Sequence, residues 1–253
     1  MIRFENVRKW LGDHWVLEDV SFEIKRGETF FIVGPSGTGK SVTLQHMVRL
    51  LTPDAGRVMI DKDCVSTARG RNLERIRTRF GMLFQSGALL EWLTVAENVA
   101  LPLLELTKMG HEEIDKLVRE KLELVGLPDA LAKFPAEISG GMRKRAALAR
   151  AIILKPEIML YDEPTAGLDP VSARKIDALI ADMQVKTGIT SVVVTHDLQS
   201  ALSIGTRIAM LFEGHVVELS TPADFVKSQV AEVREFLDSQ YITRRGDWEK
   251  NTP

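Results

Sequence analysis

Cysteine is nearly missing from this chain. Cys64 stands alone among 253 residues, so no internal disulfide can form, and a reducing cytoplasm is the expected home. Net charge is nearly missing too, at −2, which removes any global attraction toward nucleic acid. No long apolar run is present: the most apolar stretch, 88–106, is broken by Glu91, Glu97, Asn98 and Glu105. A bilayer span needs about 20 mostly apolar residues, so any work at a membrane calls for a partner that holds the chain there. The opening Met1-Ile2-Arg3-Phe4-Glu5 carries no apolar signal region, and neither internal repeats nor low-complexity linkers occur. What is left is ordinary globular composition, 45% hydrophobic and 27% charged. The length suits one large α/β domain, or a domain carrying an insertion.

Short β-rich runs open the chain at 2–7, 20–24 and 29–33. The third runs into a glycine-rich turn and a helix expected from Lys40 to about Leu51. A strand is expected at 80–84, ending at Gln85. From Thr94 to Leu154 the pattern is helical, with Ile114, Leu117, Val118, Lys121, Leu122 and Val125 on one face. A strand at 158–161 precedes a helix capped by Asp169 with Pro170 in its first turn. A strand at 190–194, a short helix and paired strands at 207–212 and 215–219 complete the body. Alternating strands and helices predict a mostly parallel sheet with helices on its faces, and the central helical block reads as an inserted subdomain. Thr221-Pro222-Ala223-Asp224 is a predicted capping box, and Phe225, Val226, Val230, Val233 and Leu237 form an apolar stripe. Beyond Tyr241 the chain is polar and expected to fray.

Gly34-Pro35-Ser36-Gly37-Thr38-Gly39-Lys40-Ser41 fits the Walker A pattern between a strand and a helix. Glycines let backbone N–H groups turn inward around phosphate, and the helix N-terminus adds partial positive charge. Lys40 is placed to reach the β and γ phosphates of ATP, and the Ser41 hydroxyl to ligate Mg²⁺. A chance match in a chain of this length has odds of about one in a hundred. Ile158-Met159-Leu160-Tyr161-Asp162-Glu163 is an apolar strand ending in two carboxylates. Alone, such an ending is common in surface turns. In a P-loop enzyme Asp162 holds the Mg²⁺ shell and Glu163 polarises the attacking water.

Ser139-Gly140-Gly141-Met142 opens a helix whose apolar positions include Met142, Ala146, Ala149 and Ile153. Alone it is a capped helix start. It stands 98 positions after Ser41 (139 − 41) and shortly before the carboxylate strand, as a second helix N-terminus suited to phosphate. If the helical block stands apart from the P-loop, that surface cannot serve its own chain's nucleotide. A dimer in which each Ser139 closes on the partner's γ-phosphate is then the simplest arrangement. Four further features stay open between two readings. His196 and Gln85, each at a strand end, suit structural roles as well as catalytic ones. Arg69, Arg71, Arg75, Arg77 and Arg79 form either a solvated charged face or a patch for nucleic acid or lipid headgroups. Ala88, Leu89, Leu90 and Trp92 are either core or an exposed groove.

Taken in order, Walker A, Gln85, Ser139-Gly140-Gly141, the carboxylate strand with Glu163, Ala166-Gly167-Leu168-Asp169 and His196 resemble an ABC transporter nucleotide-binding domain. The resemblance runs from Ile2 to about Leu219. It implies an α/β fold: a P-loop NTPase (ABC ATPase) core with an antiparallel β N-terminal part and an inserted α-helical subdomain. The nucleotide-binding domain would span 1–220, with the insertion at about 90–155 and a C-terminal helix and tail over 221–253. By the same resemblance Glu163, His196 and Gln85 are catalytic, His196 as the switch on the γ-phosphate and Gln85 as the link to the membrane partner. Gly34, Pro35, Ser36, Gly37, Thr38, Gly39, Lys40, Ser41, Val42, Val16, Ser139, Gly140 and Gly141 bind ATP, and Ser41, Gln85 and Asp162 hold Mg²⁺. Asp169 falls at the dimer seam, and 88–92 becomes the groove where a permease helix docks. The implied protein is a homodimeric ATP-hydrolysing subunit on an integral membrane permease, peripheral to the cytoplasmic face of the inner membrane, with no nucleic-acid partner.

Two stretches narrow the resemblance. Leu83-Phe84-Gln85-Ser86-Gly87-Ala88-Leu89 and the run from Ser139 to Ala151 look like the cassette of Mla/Mce-type phospholipid transporters (MlaF-like), as does Val233-Arg234-Glu235-Phe236-Leu237. Most ABC cassettes carry Gln where Met142 stands. That family implies MCE-domain lipid-binding and small STAS-domain partners. One departure concerns the base: an aromatic that stacks on adenine is usual where Leu11 stands, with Trp10 and Trp15 nearby. Alternatives are an importer or exporter cassette for another substrate, or a non-transport ABC ATPase. Repair types need a long coiled coil between Walker A and Ser139, and translation types carry two cassettes, so neither fits. A degenerate binder is opposed by Glu163 and His196, and a small kinase gives no reason for Ser139-Gly140-Gly141.

Overall fold

Gly12, at φ +64, turns the chain between two long strands, so the N-terminal residues fold as one hairpin rather than as separate short runs. The structure, a computed structural model, describes residues 1–240; the fraying expected beyond Tyr241 lies outside the described residues. In chain order the first elements are β1 (Ile2–Leu11), β2 (His14–Ile24), β3 (Thr29–Val33), α1 (Lys40–Met47), β4 (Ala55–Ile60), β5 (Asp63–Cys64) and α2 (Gly70–Arg77). The middle holds β6 (Phe80–Leu83), α3 (Val95–Leu106), α4 (His111–Leu124), α5 (Gly140–Ile152) and β7 (Ile158–Asp162). There follow α6 (Pro170–Thr187), β8 (Thr190–Thr195), α7 (Leu198–Ile204), β9 (Arg207–Phe212), β10 (His215–Ser220), α8 (Pro222–Phe225) and α9 (Ala231–Ser239).

The described chain forms two compact units: Met1–Ala68 with the residues from Val194 onward, and Arg69–Val193. In the first, β2-β1-β4-β5 make an antiparallel sheet. Its register sets Phe4 opposite Phe22, whose rings stack at 4.6 Å, and Phe22 stacks in turn on Phe30 at 5.5 Å. β3 pairs parallel with β9, and β9 antiparallel with β10. Every residue of β3 is buried, and Phe30 to Val33 form the unbroken apolar run of a strand covered on both faces. Burial of Phe30 and Phe31 contributes about 1.5–3 kcal/mol each to holding the strand that feeds the Walker A loop.

In the second unit β6 pairs parallel with β7, setting Leu83 opposite Tyr161. Arg79 ties the start of the pair together, donating to both Glu157 carboxylate oxygens at 3.0 and 2.9 Å. Helices α3, α4 and α5 pack on one another. On α4 the expected face is the buried one: Ile114, Val118, Lys121 and Leu122 are buried with Val125 just beyond, and Leu117 is half-buried.

Strands and helices alternate as the α/β reading requires, with the antiparallel part at the N-terminal end. Details differ. α1 stops at Met47 rather than near Leu51, because Arg49 turns to φ +53 and the Leu50 N–H donates to the Gln45 carbonyl at 2.8 Å. β4 and α2 leave little pattern in the sequence, since β4 buries only Val58 and Ile60, and α2 only Ile76. The Arg-rich stretch is that helix, with Arg69, Arg71, Arg75 and Arg77 exposed. Half of the expected capping box forms at Thr221, whose hydroxyl accepts from the Asp224 N–H at 3.3 Å and donates to the Asp224 carboxylate at 2.7 Å. The apolar stripe is divided between α8 and α9: Phe225, Val233 and Leu237 are buried, Val226 and Val230 half-buried. Among the described residues no helix is long and apolar enough to cross a membrane.

Candidate active site

The Walker A loop leaves β3 through Gly34 at φ +146, where a Cβ would strike the Leu211 carbonyl, so no other residue fits. Gly39, at φ +92, is the N-cap of α1; a Cβ there would stand 2.8 Å from both the Val16 carbonyl and Leu17 Cδ2. Val16 therefore packs against the loop itself. Gly37, at φ +84, faces open space on its Cβ side. Lys40 is 7% exposed, and its Nζ donates to the Gly34 and Pro35 carbonyls at 2.8 Å each. These bonds hold the ammonium against the turn rather than in solvent. Ser41 and Val42 follow in the first turn of α1, both half-buried, where helix amides have no intrahelical acceptor. A loop of left-handed glycines, a buried ammonium and a helix N-terminus suit a polyphosphate.

In the second unit the parallel register delivers Gln85 and Asp162 from neighbouring strand ends. Both line a cleft of about 560 Å³ with Phe84, Ser86, Ala166 and Gly167. A carboxylate and a side-chain amide oxygen there are the hard donors that Mg²⁺ takes. Glu163 is half-buried and stands at φ +47, a left-handed backbone that costs a non-glycine residue about 1–2 kcal/mol. Lys144 of α5 holds that turn, its Nζ donating to the Glu163 carbonyl at 2.9 Å. Burial pushes the Lys144 ammonium below its usual pKa, and the charges of Glu163 and Asp162 oppose the shift.

Ser139 is the N-cap of α5, accepting from the Met142 N–H at 3.3 Å, and is exposed together with Gly140. The 166–169 loop lies against this helix start: a Cβ on Gly140 would be 3.8 Å from Leu168, and one on Gly141 3.2 Å from the Ser172 hydroxyl. Asp169 caps α6, accepting from the Val171 and Ser172 N–H groups at 3.0 Å each. Hydrogen bonds from Ser172, side chain first and then backbone, keep its carboxyl below the usual range. His196, in the first unit, is exposed at the end of β8, and its carbonyl accepts from the Gln240 side chain. At the hairpin turn Trp10 and Trp15 meet edge to face, 5.2 Å apart, at 44% and 38% exposure.

A family model described as ABC transporter matches residues 17–166. The chain belongs to the ABC transporter family. The probable ribonucleotide transport ATP-binding protein mkl of Mycobacterium leprae is 42% identical over 241 residues, covering 95% of this chain and 70% of that protein. The intermembrane phospholipid transport system ATP-binding protein MlaF of Haemophilus influenzae is 37% identical over 240 residues, 95% of this chain and 91% of that one. A solved dimeric ATP-binding cassette in a post-hydrolysis state, bound to ADP and Pi, is 36% identical with a TM-score of 0.81, covering 88% of this chain and 99% of that one. This ABC cassette is an ATP-binding subunit of a transporter and an ATPase that works on ATP with Mg²⁺.

Three residues of the cassette's surroundings escaped the sequence reading: Lys144, Arg150 and Gln240. Lys144 had a signal, since it lies one helical turn before Leu148 on the buried face of α5, and a buried cation needs an acceptor. Arg150 and Gln240 act on backbone atoms far along the chain, which no spacing reveals.

Proposed function

We propose that this cassette powers movement of phospholipid between membranes through an integral membrane permease. The observation that carries the lipid assignment is Met142 in the Ser139-Gly140-Gly141-Met142 helix start, where most cassettes carry Gln, together with the end-to-end kinship to MlaF. The higher identity to the mkl protein favours a second reading, ribonucleotide transport. In our reading the unit spanning 1–220 does the ATP chemistry, its part at about 90–155 faces the permease, and 221–253 serves as a C-terminal extension. Two cassettes act as a homodimer at the cytoplasmic face of the inner membrane, with MCE-domain and STAS-domain subunits as further partners.

The chain's residues divide the work. Gly34 to Gly39 bind the phosphates through backbone N–H groups, Lys40 pairs with their charge, and Val16 and Val42 flank the loop. Ser41, Asp162 and Gln85 would hold Mg²⁺, which spreads the charge of the β and γ phosphate oxygens when bound. Glu163 orients and polarises the attacking water, and His196 contacts the γ-phosphate. Ser139, Gly140 and Gly141 present helix amides to the partner's nucleotide.

The apolar segment after Gln85 is the proposed force outlet. Trp92 is 73% exposed and Leu89 and Leu90 are half-buried, so the segment presents a surface rather than filling core. Leu89→Asp should leave the chain folded and able to bind ATP, detach it from the membrane subunit and abolish ATP-driven transfer of a labelled phospholipid between proteoliposomes. Thermal melting, co-purification and that transfer assay check the three parts. ATP-driven ribonucleotide uptake without lipid transfer would move the assignment to the second reading.

The adenine contact is assigned to Trp15, which precedes Val16, the β2 residue packed against the Walker A loop. Trp15→Ala should weaken ATP binding by roughly ten- to a hundredfold, since a stacking contact is worth about 1–3 kcal/mol. Equilibrium titration with ATP and GTP, on protein of unchanged melting temperature, measures it. Equal affinity in parent and variant would show that the Trp15 ring does not reach the base.

A further inference from the structure

The segment that follows Gln85 is held from two sides. Gly87 stands at φ +78 and Ala88 at φ +48, so two successive residues are left-handed, and Ala88 has a Cβ that resists it. On one side is α5. Its Arg150 donates to the Ala88 carbonyl at 2.7 Å and to the Gly87 carbonyl at 2.9 Å. Ala147, one turn earlier, lies so close that a Cβ on Gly87 would be 3.5 Å from its own. Arg143, a further turn back, reaches Glu91 at 3.9 Å. On the other side is Asn98 of α3, with no exposed surface; its side chain accepts from the Leu90 N–H at 2.7 Å and donates to the Leu90 carbonyl at 3.0 Å.

We propose that Arg150 is a positioning residue, whose guanidinium clamps the left-handed turn at Gly87–Ala88 onto the helix that begins at Ser139, so that 89–92 moves with that helix as one body. The inference rests on the reading of 89–92 as the permease-docking surface and adds the part that joins it to the Ser139 end. A fork of N–H donors on two adjacent carbonyls fixes both position and orientation, which a single contact does not. Two charge-assisted bonds outweigh the cost of one left-handed alanine. Between Ser139 and Arg150 lies continuous helix, a stiff rod of about 16 Å. Displacement at its Ser139 end therefore reaches the turn at its Arg150 end without loss in a flexible joint.

The test compares Arg150→Ala and Arg150→Lys with the parent, as purified full-length cassette and as the membrane complex isolated through a tag on the cassette. Hydrogen exchange reads the clamp directly. In Arg150→Ala the Gly87 and Leu90 amides should exchange at least about tenfold faster, while amides inside α5 stay protected. In the complex, kcat for ATP should fall about tenfold with KM within about twofold, and Arg150→Lys, which keeps one charged donor, should recover part of both effects. Unchanged exchange at Gly87 and Leu90 overturns the proposal, and so does a loosened turn with full turnover in the complex. Equal loss of α5 protection and of melting temperature in both variants also overturns it, as the mark of a purely structural arginine. Full co-purification of Leu89→Asp cassettes instead overturns the docking reading, and with it the task assigned to the clamp, while the exchange result still decides whether the clamp exists.

Discussion

Glu163→Gln should bind ATP as the parent does and turn it over about 10²–10⁴-fold more slowly, the usual worth of a positioned base. The binding half follows because Gly34 to Lys40 are untouched, and their geometry is set by Leu211, Val16 and Leu17 in the first unit. The rate half follows because glutamine keeps the size of the side chain and loses only the charge that polarises water. The backbone at this position does not move either. Lys144 bonds to the Glu163 carbonyl, not to the carboxylate, so the left-handed turn at φ +47 keeps its tether in the variant. A loss of that size is a barrier increase of about 2.7–5.4 kcal/mol. Steady-state ATPase of the purified complex and equilibrium nucleotide titration give the two halves. Near-normal turnover would sink the assignment of Glu163 as base.

What the sequence made legible, and what it did not, divides along physical lines. The Walker A loop was legible because phosphate binding demands glycines at fixed offsets, and three of them, Gly34, Gly37 and Gly39, do adopt positive φ. The neighbourhood of Gln85 and Asp162 was half legible. Each marks the end of an apolar run, but only the parallel register of Leu83 with Tyr161 puts them on one cleft. α2 was illegible as a helix, because with Ile76 as its single buried residue it has no period to read. Residues 88–92 were ambiguous for a different reason: leucine and tryptophan are written alike in a core and on a docking face, and only the exposure of Trp92 separates them. Arg150 was illegible altogether, since its acceptors are main-chain carbonyls 62 and 63 positions earlier.

Chains carrying Lys40→Ala and chains carrying Ser139→Arg should each fail to trap nucleotide, and mixing them should restore about a quarter of the parent's trapping sites. The first failure comes from removing the buried ammonium that bonds the Gly34 and Pro35 carbonyls, which leaves the phosphate charge unpaired. The second has a different origin. Ser139 is exposed and caps α5, so arginine there removes the cap, adds a bulky cation and covers the first-turn amides without entering the core. If Lys40 and Ser139 act on one nucleotide only across two chains, a mixed dimer pairs one intact loop with one intact helix start. Its other site carries both lesions. Random pairing makes about half of all dimers mixed, and each holds one working site of two, hence the quarter. If both residues served the nucleotide of their own chain, every site in every mixture would carry a lesion, and trapping would stay at the level of the single variants. Counting vanadate-trapped nucleotide per dimer after mixing and re-isolation separates the two outcomes. Recovery near a quarter assigns the Ser139 helix start to the partner's ATP, and no recovery assigns it to its own.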